Sequence, residues 1–103
     1  MPTRKSDPPK AAVGRALKQL RNARGVTQED LIPAISRRHI GRLEQGVQLP
    51  SIGMVEHLAE GLQVHPLTVL AVAYARRFDT ASIEKVLKSV RADLSTLLPE
   101  DVS

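Results

Sequence analysis

Apolar residues recur every three or four positions along this chain, a spacing that places them on one face of a helix. The clearest stripe comprises Val13, Ala16, Leu17, Leu20 and Ala23. No stretch alternates apolar and polar residues for long, and runs of β-branched residues are absent. The pattern therefore predicts an all-α fold.

Start and stop signals divide the chain into short helices. Asp7 with the prolines after it predicts the start of the first helix, and Arg24 followed by Gly25 predicts its end. Thr27 caps a short second helix, which Pro33 interrupts because proline removes a hydrogen-bond donor and clashes with the preceding turn. The remaining helices are predicted at residues 37–45, 52–61, 66–77 and 81–98.

Composition narrows the class of protein. The 103 residues suffice for one domain with a short appendage, and with only 2% aromatic residues the core must be aliphatic. The lack of cysteine excludes disulfides, thiolate metal sites and cysteine nucleophiles. The longest apolar run, residues 69–75, is far shorter than a membrane span of about 20 residues. No signal sequence follows the first charged residues, so we expect a cytoplasmic protein without membrane contact.

Positive charge is concentrated in the first half of the chain. Residues 1–46 hold ten of the fifteen Lys and Arg residues and four acids, a net charge of +6, whereas residues 47–103 have a net charge of −2. This asymmetry indicates a polyanion on one side of the molecule and a different contact on the other. A basic surface that only maintains solubility is the alternative, which charge alone does not exclude.

The predicted third helix, at residues 37–45, carries the candidate chemistry. If Ile40 and Leu43 face the core, helical spacing places three arginines on the opposite side: Arg37, Arg38 and Arg42. A guanidinium can bond two acceptors on a guanine edge, and it also binds phosphate. The pattern fits a helix that enters the DNA major groove, although a solvated basic face remains an alternative at this point.

Three short motifs follow one another in this part of the chain. The motif LR-x-x-RG-x-TQ-x-x-L covers residues 20–31, S-x-x-x-I-x-x-LE-x-G covers residues 36–46, and PS follows at residues 50–51. In this order they resemble the Xre or Cro/CI-type helix-turn-helix family, which includes the lambdoid phage repressors. The resemblance covers about residues 11–75.

The resemblance implies an organisation of the chain. We expect a basic N-terminal arm at residues 1–10, a compact five-helix lambda-repressor-like domain at residues 11–78 and a C-terminal helix at residues 79–103. Only residues 32–35 separate the first two motifs, where the family usually has a longer turn that includes a glycine. The sequence therefore leaves open how the shortened turn affects docking on DNA.

The resemblance also assigns roles to individual residues. Gln28 and Ser36 are expected at the DNA backbone, and the three arginines at base edges. His39 lies beside the arginines and is a further candidate for phosphate contact. Arg21 and Glu44 match a structural ion pair between the first and third helices. The expected DNA-binding residues are Gln28, Ser36, Arg37, Arg38, His39, Arg42, Gln45 and Gln48.

Other kinds of site find no support in the sequence. The three histidines share no metal-ligand spacing, and no nucleophile–base arrangement or phosphate-binding glycine loop occurs. We therefore expect no enzyme, no metal and no other cofactor.

The last predicted helix carries a heptad stripe, which comprises Ile83, Leu87, Val90, Leu94 and Leu97. The stripe predicts a dimer interface. Its alternative is that these residues pack on the protein's own core, since two heptads are too few to distinguish the two arrangements.

The resemblance implies a sequence-specific double-stranded-DNA-binding regulator of transcription. One small domain covers few base pairs, so we expect a homodimer that represses by occupying an inverted-repeat operator. The alternative is a protein-interaction module of the same fold, such as an antitoxin or adaptor. An antagonist protein is left open as a further partner, and the sequence does not identify the operator, the regulated genes or the signal.

Overall fold

Five α-helices and one 3-10 turn make up the regular structure of residues 10–31 and 36–99, which a computed structural model describes. These residues contain no strand, so the all-α prediction is confirmed. The predicted helix start at Asp7, the interruption at Pro33 and nearly all of the predicted N-terminal arm lie outside them. The elements are α1 (Lys10–Arg24), the 3-10 turn (Glu29–Leu31), α2 (Arg37–Glu44), α3 (Ile52–Leu62), α4 (Pro66–Tyr74) and α5 (Thr80–Leu97).

Glycines end the first two α-helices as the sequence predicts. Gly25 has a φ of 71° and Gly46 a φ of 78°, in the left-handed region that other residues rarely adopt. After α1, the Val26 N–H donates to the Arg21 carbonyl at 2.9 Å, so the last turn keeps its hydrogen bonds while the chain changes direction. The corresponding hydrogen bond after α2 joins the Val47 N–H to the Arg42 carbonyl and sets the position of the loop that follows this helix.

Polar side chains cap the helix starts. The Ser36 hydroxyl accepts from the His39 N–H at 3.2 Å at the start of α2, and Ser51 caps α3 in the same way. At α5 the Ser82 N–H donates to the Asp79 carboxylate at 2.8 Å, which lowers the pKa of Asp79 below its ordinary value. These caps fix where each helix begins.

Two predicted elements need correction. The second helix, predicted after Thr27, is a single 3-10 turn within the described residues, although Thr27 and Asp30 do cap each other with bonds of 2.8 and 3.1 Å. The fifth predicted helix, at residues 66–77, ends at Tyr74 because Ala75 has extended backbone with a ψ of 144°. The Ala75 carbonyl, freed from the helix ladder, accepts a bond of 3.5 Å from Arg15 on α1.

The core is aliphatic, as the composition requires. It lies between α1, α3 and α4, and Ile40 and Leu43 close it from α2, at 0% and 1% exposure. None of the 18 residues of α5 is fully buried, and only Ile83 packs against the core cluster. The side chains with the least exposure are Leu17, Leu31, Ile40, Leu43, Leu58, Leu62 and Val69.

α1 and α2 approach each other closely at Gly14. A Cβ built on Gly14 would collide with the Leu43 carbonyl oxygen and would lie 2.9 Å from that of Glu44. Only a hydrogen atom fits between the two helices here. This close approach brings the end of α2 within reach of the side chains of α1.

Candidate nucleic-acid interface

The exposed side of α2 presents the three predicted arginines. Burial of Ile40 and Leu43 fixes the rotation of the helix, so Arg38 and Arg42 lie near the middle of the outward face and Arg37 at its edge. All three are exposed. The Ser36 cap and the turn at Gly46 set the two ends of this face.

A buried hydrogen-bond network holds α2 against α1. Arg21 donates from Nε to Glu44 Oε2 at 2.7 Å and from Nη2 to Oε1 at 3.1 Å, with side-chain exposures of only 13% and 5%. A third bond, from Arg21 Nη1 to the Val26 carbonyl at 3.1 Å, ties the pair to the end of α1. The hydrogen bonds that Arg21 donates to Glu44 raise the pKa of Arg21 above its ordinary value, although burial opposes the shift.

Gln28, the residue just before the 3-10 turn, joins the same network. Its Nε2 donates to Glu44 Oε1 at 2.9 Å, and the residue is half-buried. One amide hydrogen is therefore committed to the protein. Within the described residues the other amide hydrogen has no partner and can donate to a backbone phosphate or a base edge, so Gln28 couples any DNA contact to the ion pair behind it.

The three arginines differ in their local partners. Arg37 forms an ion pair of 2.6 Å with Glu29, and both side chains are more than half exposed. Arg42 donates from Nε to Gln48 Oε1 at 3.4 Å, which leaves its two terminal nitrogens available. The Arg38 guanidinium makes no hydrogen bond or ion pair within residues 10–31 and 36–99. Arg38 is thus the arginine most available to a ligand.

Gln48 links the loop after α2 to two side chains of that helix. Its Nε2 lies 3.0 Å from His39 Nε2, and its Oε1 accepts from Arg42. The amide nitrogen can only donate, so this contact is a hydrogen bond when the His39 Nε2 is the accepting nitrogen of the ring. His39 therefore supports the loop and lies half-buried at the edge of the arginine face. Gln45 is the exposed C-cap residue of α2, beside this loop.

Three structural roles lie beyond the sequence predictions. Arg24 donates to the Leu62 carbonyl at 2.9 Å and to the Gln63 carbonyl at 2.7 Å, so it caps the end of α3. Gly14 permits the α1–α2 contact, and Glu29 pairs with Arg37. Each role depends on a partner distant in the chain, which the spacing of a single helix does not indicate.

In the described part of the chain, no three His, Cys, Asp or Glu side chains lie together in an arrangement that could hold a metal ion. Among the described helices, none combines the length and the hydropathy that a membrane-spanning segment needs.

The chain matches the model of a known protein family. Residues 12–73 fit the model of a family described as helix-turn-helix domain, and they include most of α1, the 3-10 turn, α2, α3 and most of α4. Neither a curated protein nor a solved structure matches the chain. Because the matched residues exceed half of the 103, the chain belongs to the helix-turn-helix domain family.

Proposed function

We propose that this helix-turn-helix protein binds double-stranded DNA sequence-specifically and represses transcription by occupying an operator. The exposed arginine face of α2 carries the proposal. A helix of this kind places its outward side chains against base edges in the major groove, and arginine is the commonest partner of guanine there. The function is binding without a reaction, in the cytoplasm, and it needs no cofactor.

The network behind α2 supports the same proposal. Recognition of a base edge requires that the guanidinium be placed reproducibly, and the Arg21–Glu44 pair fixes the helix that carries it. Ser36 caps the start of α2 and Gln28 lies just before the 3-10 turn, where the DNA backbone would approach. They would set the position of α2 on the duplex without selecting a sequence.

Alanine substitutions on α2 should separate base contact from phosphate contact. We expect Arg38→Ala or Arg42→Ala to cost about 1–3 kcal/mol on the cognate operator and to relax preference at one base position. Gln28→Ala and Ser36→Ala should weaken binding with less change in preference. The operator would first be found by footprinting on genomic DNA, and affinities would then be measured on every single-base variant.

A matched control is Arg77→Ala, which removes an exposed arginine outside α2. We expect this variant to leave base preference unchanged. Equal losses on all DNA sequences for Arg37→Ala, Arg38→Ala and Arg42→Ala would contradict base contact by α2, and DNA binding would then be electrostatic and non-specific.

The heptad stripe of α5 supports action as a homodimer. Leu87, Val90, Leu94 and Leu97 are 37, 49, 48 and 76% exposed, and Ile83 alone packs against the core. Side chains that served only the protein's own core would be more deeply buried than this. A two-fold dimer would direct two copies of α2 at successive major grooves, so the operator should contain inverted half-sites about 34–36 Å apart.

Charged residues in the stripe should separate the subunits. We expect Leu87→Glu combined with Leu94→Glu to produce monomers whose affinity for the full operator is more than tenfold below that of the wild type. In a dimer, binding of one subunit raises the local concentration of the other at its half-site, and this gain is lost in a monomer. Sedimentation velocity would measure assembly and circular dichroism would verify folding. Unfolding of the variant would indicate internal packing instead, and a wild-type monomer at micromolar concentration would contradict the dimer.

The exposed apolar side of α5 also favours a second candidate function, a protein-interaction module such as an antitoxin or adaptor. In that case another protein would cover the stripe. Two results together would favour this candidate: the protein binds a partner protein with an affinity that does not depend on salt, and it prefers no DNA sequence. An antagonist protein that displaces the regulator from DNA would use the same surface.

A further inference from the structure

The apolar side of α5 continues into a groove on the domain. From Leu87 to Leu97 every residue of α5 is exposed, so the second half of the helix buries little surface against the described part of its own domain. A groove of about 500 Å³ lies between α4 and α5. Leu67 and Phe78 line it, 63% and 45% exposed. Ile83 and Leu87 belong both to the groove and to the stripe, so the two form one surface.

The charges beside the stripe restrict how two copies of α5 can pair. In heptad positions, Ile83, Val90 and Leu97 are d residues, and Leu87 and Leu94 are a residues. Glu84 and Arg91 then occupy e positions, and Asp93 a g position. Glu84 and Arg91 are exposed, and neither forms an ion pair within the described residues. Residues at e and g flank the apolar seam, so their charges select the register.

One antiparallel register brings opposite charges together. With the two-fold axis between Lys88 and Ser89, Leu87 lies opposite Val90 and Ile83 opposite Leu94 of the other copy. In antiparallel helices the e side of one faces the e side of the other. Glu84 therefore meets Arg91 of the second copy, and the symmetry makes this contact twice. Four apolar layers span about 17 Å of helix at 1.5 Å per residue.

The neighbouring arrangements are electrostatically worse. An antiparallel register with the axis at Ala92 keeps four apolar layers, but it places Arg91 opposite Arg91 and Asp93 opposite Asp93. In a parallel pair the e side faces the g side, so Arg91 meets Val86 and no oppositely charged pair forms. Like charges that face each other across a helix pair are unfavourable.

We infer that the α4–α5 groove receives α5 of a second copy in antiparallel orientation, with the two-fold axis between Lys88 and Ser89 and Arg91 of each copy bonded to Glu84 of the other. Leu94 and Leu97 of the second copy then fill the groove beside Phe78 and Leu67, which covers the exposed side chains at both ends. This inference rests on the homodimer of the proposed function and adds its register, its orientation and its charged contacts.

Charge reversal tests the register. In Glu84→Arg, two arginines face each other at each contact, and in Arg91→Glu two glutamates do. At low salt we expect each variant alone to dissociate with a dimer Kd at least about tenfold above that of the wild type, because two weak attractions become two repulsions. An equimolar mixture should form a heterodimer in which every contact is attractive. The double variant E84R/R91E should likewise recover the wild-type Kd.

Sedimentation equilibrium without DNA provides the measurement, and circular dichroism confirms folding of each variant. Lys85→Glu is the matched control: it also changes a charge on α5, but Lys85 lies away from the seam, so the Kd should stay within about threefold of the wild type. Dimers in both single variants as stable as the wild type, or no heterodimer on mixing, would overturn the inference.

Failure of this inference can be distinguished from failure of the proposed function. A monomeric wild type at micromolar concentration would overturn the inference, while base preference measured on single half-sites would still test the role of α2 independently. Conversely, the two charge variants could form the expected heterodimer while the protein shows no preference for any base. That result would support the register and contradict the DNA-binding proposal.

Discussion

Gly14→Ala should destabilise the protein by about 3 kcal/mol, although alanine inside a helix is normally more favourable than glycine by about 1 kcal/mol. The sign of the change in stability reverses because the added methyl group would meet backbone atoms, which cannot move aside as a flexible side chain could. The carbonyl oxygens of Leu43 and Glu44 occupy its place. The helices must move apart or tilt, which strains the core contacts of Ile40 on α2 as well.

Gly41→Ala is the control for this substitution, because Gly41 lies within α2 and a Cβ there meets nothing within 4 Å. We expect it to stabilise the protein by about 0.5–1 kcal/mol, as helix propensity alone dictates. Urea unfolding in the absence of DNA measures both changes. If Gly14→Ala were as favourable as Gly41→Ala, the close α1–α2 contact would be wrong.

The local signals of the sequence were sufficient to predict most helix ends. α1 and α2 end at Gly25 and Gly46 because glycine, which has no Cβ, readily adopts the left-handed backbone that ends a helix. Ser36 capped α2 for an equally local reason, since its hydroxyl reaches a backbone N–H three residues along. The helical spacing of Ile40 and Leu43 then placed the arginines outward. The fold class and the face of α2 follow from such local rules.

Tertiary contacts account for what the sequence pattern did not predict. Nothing in the sequence around Gly14 distinguishes a glycine that merely weakens a helix from one that a neighbouring backbone requires. Arg24 likewise fits a cation in the last turn of its own helix, yet its guanidinium caps α3. The end of α4 at Tyr74 also escapes prediction, because residues 75–77 carry no local stop signal.

Part of the candidate site was predictable from the sequence and part was not. The arginine face was predictable, whereas the differences among its arginines were not, because they arise from Glu29 in the 3-10 turn and Gln48 in the following loop. The positions of both partners depend on how the segments around α2 pack. Within the described residues these contacts involve Arg37 and Arg42 but not Arg38, a difference in availability to a ligand that helical spacing alone does not predict.

Removal of the carboxylate in Glu44→Ala should destabilise the protein by about 3 kcal/mol or more. Arg21, whose side chain is only 13% exposed, would keep its charge while it lost both carboxylate bonds, and little water could replace them. Gln28 would also lose its acceptor. Because this network fixes α2, DNA affinity should fall together with the free energy of unfolding.

The exposed pair between Glu29 and Arg37 provides the matched control. Its distance of 2.6 Å is slightly shorter than the 2.7 Å of the Arg21–Glu44 pair, but its side chains are 53% and 66% exposed. Water can solvate either partner alone, so Glu29→Ala should cost at most about 1 kcal/mol. A double-mutant cycle with Arg21→Met and Glu44→Ala should give a coupling free energy above about 1 kcal/mol. If the coupling were no larger than that of the exposed pair, burial would not be what strengthens the α1–α2 contact, and the orientation of the arginine face would have to depend on apolar packing alone.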